Sequence, residues 1–187
     1  MVYKANEKVN KIIDDFKFDF AVTSKKSREK YLMTLSPGTS IPKDNRIFDP
    51  NEVKAFQDRS MEYRAEIDNI FNDCIAEIKK AKTASPSSEA VNVISLLSSR
   101  DNVSAEELND VINEYGDNYQ IYRACQDISN KNHLGLLENH PLQTKEQNIQ
   151  DLQSSIDRIM NYSDACKNAD NGLYSFIQYN VDSVLSD

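Results

Sequence analysis

Apolar positions recur every three or four residues over long stretches of this chain, the period of amphipathic helices. The strongest start signal lies at Asp49, which can cap a helix, with Pro50 suited to its first turn and Glu52 following. Val53, Phe56, Ser60, Tyr63, Ile67, Ile70 and Cys74 come next at spacings of three and four, and Phe71, Ile75 and Ile78 widen the stripe. Lys79, Lys80 and Lys82 then put positive charge where a helix C-terminus favours it. The pattern predicts a helix of about 32 residues, about 48 Å long at 1.5 Å per residue. Its stripe is a heptad-like seam that must be buried against something.

A second seam begins after Thr144 and Gln147, which form a capping-box pattern. Ile149, Leu152, Ile156, Ile159, Ser163 and Cys166 follow it, and Leu173, Ile177, Val181 and Val184 resume the register beyond Asn171-Gly172. An Asn-Gly pair is poor inside a helix, so two helices broken at Gly172 are favoured over one bent helix.

Between the two seams the pattern predicts three short helices. Val91, Ile94 and Leu97 mark the first, opened by Ser85 and Pro86. Ser104 with Glu107 is a capping box, Val103 and Leu108 occupy staple positions, and Gly116 is placed to end the second helix. Asn118 can cap the third, which carries Tyr119, Tyr122, Cys125 and Ile128 inward. Residues 130–143, with Gly135, His140 and Pro141, read as irregular.

The N-terminal stretch 4–34 is less simple. Val9, Ile12, Ile13, Phe16 and Phe20 keep helical spacing, whereas Phe16, Phe18, Phe20 and Val22 alternate like a strand. The helix is favoured, because the flanking sequence keeps its periodicity. A strand over 16–22 would instead lack partners within the chain and be free to pair with another one. Residues 36–48 hold Pro37, Gly38 and Pro42 and form the clearest break, a linker or an extended arm partly docked through Ile41, Ile47 and Phe48.

The expected fold is therefore all-α. It is a helical bundle with two long amphipathic helices, 49–82 and 144–187, antiparallel to each other, and several short helices, preceded by an N-terminal helix and arm. The expected division is 1–48 for the N-terminal helix plus linker and 49–187 for the bundle. Val53, Phe56, Tyr63, Ile67 and Ile70 are expected to pack against Ile149, Leu152, Ile156 and Ile159.

Composition changes this picture mainly by exclusion. The 187 residues contain 4 glycines, where average usage would give about 13. That disfavours sandwiches and barrels, and the glycines at 38, 116, 135 and 172 are isolated, so no phosphate-cradling loop is present. There is no run of about 18 apolar residues and no apolar signal core near Met1, so the expected location is the cytoplasm. Cys74, Cys125 and Cys166 are odd in number and scattered, as in a reducing compartment, and read as small core residues.

Charge is unevenly spread. Residues 1–82 carry 16 basic and 14 acidic side chains, and residues 83–187 carry 6 and 16, so the net charge of −8 divides into +2 and −10. Phosphate repulsion by the second part disfavours direct nucleic-acid binding. Asp101, Glu106, Glu107, Asp110, Glu114, Asp117 and Asp127 form a candidate acidic interaction face.

Chemistry finds little support. His133 and His140 lack the Glu three residues before them that a di-iron carboxylate bundle requires. A zinc site built from these histidines with Cys125 or Cys166 matches no ligand spacing, and a Cys/His dyad has only these two loop histidines to draw on. Asn102–Leu108, followed by Val111-Ile112 and Gly116, resembles the second half of an EF-hand loop and its exiting helix, but Leu96, Ser98 and Arg100 fall where calcium carboxylates belong. No catalytic residue, metal site or cofactor is expected.

Residues Leu96–Leu108, then Tyr115-Gly116-Asp117-Asn118-Tyr119 and Arg123-Ala124-Cys125, resemble small helical proteins of tailed phages and prophages of Gram-positive hosts. This resemblance covers 95–130 and implies a role in head or virion assembly. The expected function is that of a non-enzymatic interaction or assembly protein, with protein partners that include further copies of itself. The alternative is an acidic decoy that mimics DNA and inhibits a host nucleic-acid enzyme.

Overall fold

The computed structural model describes residues 3–39, 49–135, 137–160 and 172–185. Among them are seven helices and no strand: α1 (Tyr3–Thr34), α2 (Pro50–Lys82), α3 (Ser88–Ser98), α4 (Ala105–Tyr115), α5 (Tyr119–Lys131), α6 (Pro141–Ile159) and α7 (Leu173–Leu185). The fold is all-α, with long amphipathic helices as the pattern requires. The chain forms two compact units, one made of 1–73 with 148–187 and the other of 74–147.

In the first unit α1 is helical throughout. Phe16 and Phe20 are buried while Phe18 between them is exposed, so the alternation over 16–22 does not make a strand. The buried stripe of α1 runs Val9, Ile12, Ile13, Phe16, Phe20, Thr23, Ser27. It meets α2 through Phe16–Phe56 and Phe20–Phe56 ring contacts at 5.4 and 5.6 Å, and Phe16 also touches Tyr63 and Tyr174 edge-on or tilted. Aromatic pairs at these separations add to the gain from burial alone. Arg59 of α2 holds Asp19 of α1 with a forked pair of bonds, Nε to Oδ2 at 2.7 Å and Nη2 to Oδ1 at 2.9 Å, and also reaches Thr23.

Arg64 donates to Asp157 at 2.8 Å and Gln153 to Asp68 at 2.6 Å, so the first unit's parts of α2 and α6 run antiparallel. Ser60, buried within the α2 stripe, donates its hydroxyl to the Met160 carbonyl just past the end of α6. Of the seam residues, Phe56, Ile67, Ile149, Leu152, Ile156 and Ile159 are buried, and Val53, Tyr63 and Ile70 are half-buried. The stripe drifts so that Phe71 rather than Ile70 points fully inward, the expected result of 3.6 residues per turn against a 3.5 repeat.

The two long seams are not each other's only partners. The second seam is carried by two helices, with α7 beginning directly after Gly172, whose φ of +65° an L side chain rarely adopts. α7 packs antiparallel on α1: Tyr174 lies by Phe16, Gln178 bonds Asp14 at 2.9 Å, and Asp182 accepts from Asn6 and Asn10. The grouping of α1 with α2, α6 and α7 thus follows packing across the chain, rather than the linear division at 48/49. Residues 40–48 of the linker or arm expected over 36–48, and the positions of Ser163 and Cys166, lie outside the described residues.

The second unit is built around α3, α4 and α5, whose core contains Ala90, Leu97, Val103, Leu108, Val111, Ile121, Cys125 and Ile128. Ser87, not Ser85, caps α3, accepting from the Ala90 N–H. The Ser104/Glu107 capping box forms as expected, with Val103 and Leu108 both buried at the staple positions. α6 starts four residues earlier than the Thr144 box predicts. Pro141 takes the first turn, and His140 is the cap: its carbonyl accepts from Gln143 and Thr144, and its ring Nδ1 from the Leu142 N–H at 3.1 Å.

Candidate docking groove

The part of α6 beyond Gln147, together with α7, places one set of side chains on an open face. α6 is fully amphipathic, and Leu152, Ile156 and Ile159 turn inward while Asn148, Asp151, Ser155 and Arg158 follow at spacings of three and four on its outer edge. α7 buries Tyr174, Ile177, Val181 and Leu185, and leaves Phe176 and Tyr179 exposed at 62% and 70%. Between these two helices lies a groove of about 520 Å³ with Leu152, Ile159, Leu173, Ile177 and Val184 on its floor. Phe176 forms one wall, and the α6 edge from Asn148 to Arg158 forms the other. An exposed aromatic beside an apolar floor, rimmed by polar groups, is a feature shared by protein-, membrane- and ligand-binding surfaces.

Among the described residues, the ionisable groups that line the groove are Asp151 and Arg158, both exposed. A second, shallower concavity of about 330 Å³ lies over Phe18, Val22, Arg59 and Tyr63, and there Arg59 is already held by Asp19 and Thr23.

The acidic face resolves into helix edges. Asp101, Glu106, Asp110, Glu114, Asp117 and Asp127 are exposed. Glu107 serves the fold: it accepts from the Ser104 N–H at 3.0 Å, from Arg100 at 2.7 Å and from the Ser104 hydroxyl. These bonds, the backbone one foremost, lower its carboxyl from an ordinary 4.5 to about 2. Because the folded value lies below the unfolded one, the contribution of Glu107 is present above pH 4.5 and lost as pH falls toward 2. In thermal melts across that window, the midpoint of Glu107→Gln should fall less with acid than that of the parent protein. Equal slopes would mean the capping box carries no proton linkage.

Two residues considered for chemistry prove structural. Cys125 is fully buried, and burial pushes its thiol up to about 11, the opposite of an activated nucleophile. His140, read from sequence as a loop residue, is 4% exposed and stands edge-on to the rings of Tyr119 and Tyr122. Since Nδ1 accepts from Leu142, the proton sits on Nε2, which donates to the Gly116 carbonyl at 3.1 Å. Both ring nitrogens are spent. The nearby Lys82 lies over the Tyr119 ring and pairs with Glu146. Pro141 directly after His140 was the available signal for this cap. Among the described residues no group of three His, Cys, Asp or Glu side chains is placed to hold a metal ion, and no helix is long and apolar enough to cross a membrane.

Comparison with known proteins finds no matching family model, no matching curated protein and no matching solved structure. The functional reading therefore stands on the groove.

Proposed function

We propose that this chain is a non-enzymatic helical interaction and assembly protein that receives a helix of another polypeptide in the α6/α7 groove. The observation that carries the reading is the exposure of Phe176 on the wall of an apolar channel. Left in water, an aromatic side chain forgoes about 2–3 kcal/mol of burial, which docking recovers. A groove lined by two helices is a setting in which an amphipathic helix can dock, read as apolar anchors at spacings of three and four. The spent nitrogens of His140 and the buried thiol of Cys125 support the non-enzymatic part of the reading.

The resemblance of residues 95–130 to small tailed-phage proteins supplies the setting: a phage- or prophage-encoded protein acting in virion head assembly, within the host cytoplasm or as a structural component of the particle. The acidic-decoy alternative draws on the exposed acids of α4 and its flanks, but those are also what a solvated helix face presents, and Glu107 is committed to capping.

A photoreactive phenylalanine analogue at position 176 tests the reading in cells that make the protein. Adducts to polypeptide should form there, and not with the same probe at the exposed position of Asn92 on α3. Equal yields at the two positions would overturn it.

A further inference from the structure

Resting on the docking reading, we infer that the polypeptide received by the groove is a second copy of this chain, docked antiparallel about a two-fold axis passing close to Ser155. Among the described residues, the groove's charged lining consists of one acid and one base on the same helix edge, Asp151 and Arg158. They stand four residues before and three residues after Ser155, about 6 Å and about 4.5 Å along the axis at 1.5 Å per residue. A two-fold axis near Ser155 therefore sets each Asp151 against the partner's Arg158, and the same contact repeats on the other side. An isologous interface requires this self-complementarity. A purely acidic or purely basic partner helix gains one attraction on this rim and suffers one repulsion. A carboxylate has about four lone-pair sites, so Asp151 can accept a partner's guanidinium in addition to its own contacts.

The residues at the axis suit close approach. Ser154 and Ser155 are small and exposed, and their hydroxyls are turned back onto the Gln150 and Asp151 carbonyls at 3.0 and 2.9 Å. A second helix can cross there without stranding a polar group. Phe176 lies on the same groove as this edge, so the symmetric contact brings two such aromatics to one interface, where aromatic residues and Arg are enriched.

Light scattering and sedimentation from about 1 μM to about 1 mM, the range of modest to weak association, read the result. The full chain should dimerise, and Asp151→Arg or Arg158→Asp alone should raise Kd about tenfold or more, because each change creates two like-charge juxtapositions. Mixing the two single variants should restore association as a heterodimer, since every juxtaposed pair is again of opposite sign. The double variant should dimerise like the parent. Both positions are exposed, so circular dichroism should show each variant folded.

A chain that stays monomeric, or a dimer indifferent to these reversals, would overturn the inference. The docking reading would then survive only if the probe at position 176 still captured a polypeptide other than this one. Its own failure shows separately, as equal cross-linking at 176 and 92.

Discussion

Ile156→Asp is expected to abolish the cooperative folding of the first unit. Ile156 is 1% exposed on the inward face of α6, flanked by Leu152 and Ile159, which are buried as well. An aspartate there either carries its charge into an apolar interior or neutralises at a cost, and it also gives up the burial of the isoleucine. Unpaired buried charge is among the few single changes that cost about 4–5 kcal/mol or more. Stabilities of whole domains are about 5–15 kcal/mol, so most of the margin disappears. Ile67→Asp on α2, also 1% exposed, should do the same. Gln150→Asp, on the exposed side of α6, should stay within about 0.5 kcal/mol of the parent. Urea and thermal unfolding followed by circular dichroism separate the three. Parental midpoints for Ile156→Asp would show that the α6 stripe is not core.

His140→Ala should lower the stability of the second unit by about 3 kcal/mol, from two lost hydrogen bonds at about 1 kcal/mol each and an incompletely refilled space between two tyrosine rings. The effect exceeds that of an ordinary helix cap because the ring joins two helix ends. Nδ1 satisfies the first turn of α6, and Nε2–H satisfies the Gly116 carbonyl at the end of α4. Gly116 is itself tightly constrained, as a Cβ there would lie 2.2 Å from the Ile112 carbonyl oxygen. His140→Asn keeps an acceptor at the cap position and should recover about 1 kcal/mol of the loss. Protection of the Leu142 amide from hydrogen exchange checks this directly. Equal losses for Ala and Asn would mean that ring packing, not capping, carries the effect.

Helix content was legible because it is a local property. The capping box of Ser104 and Glu107, the Asp49–Pro50 start and the stop at Gly116 are each encoded within a few residues, and all occur where the pattern places them. Ambiguity arose where two periods overlapped. Phe16, Phe18 and Phe20 alternate as in a strand, yet only Phe16 and Phe20 are also four apart, and the helix buries that pair and exposes Phe18. The start of α6 was misplaced because a histidine acting through its ring is a rare cap, while Thr144 with Gln147 is a common one. The groove was not legible at all. Phe176 lies in a stretch whose apolar residues all look alike in sequence, and exposure depends on which neighbour covers which side.

By itself the sequence determined the all-α class, where most helices begin and end, which face of each is apolar, and the uneven division of the −8 charge. Those follow from backbone hydrogen bonding and side-chain period, which act over a few residues. Only the tertiary structure decided that α1 shares a core with α2 and α7, that His140 joins two helix ends, and that Phe176 is left outside beside an apolar channel. Each of these depends on contacts between residues far apart in the chain, such as Phe16 with Tyr174 or His140 with Gly116. Periodicity states that a stripe must be buried; it carries no record of what buries it.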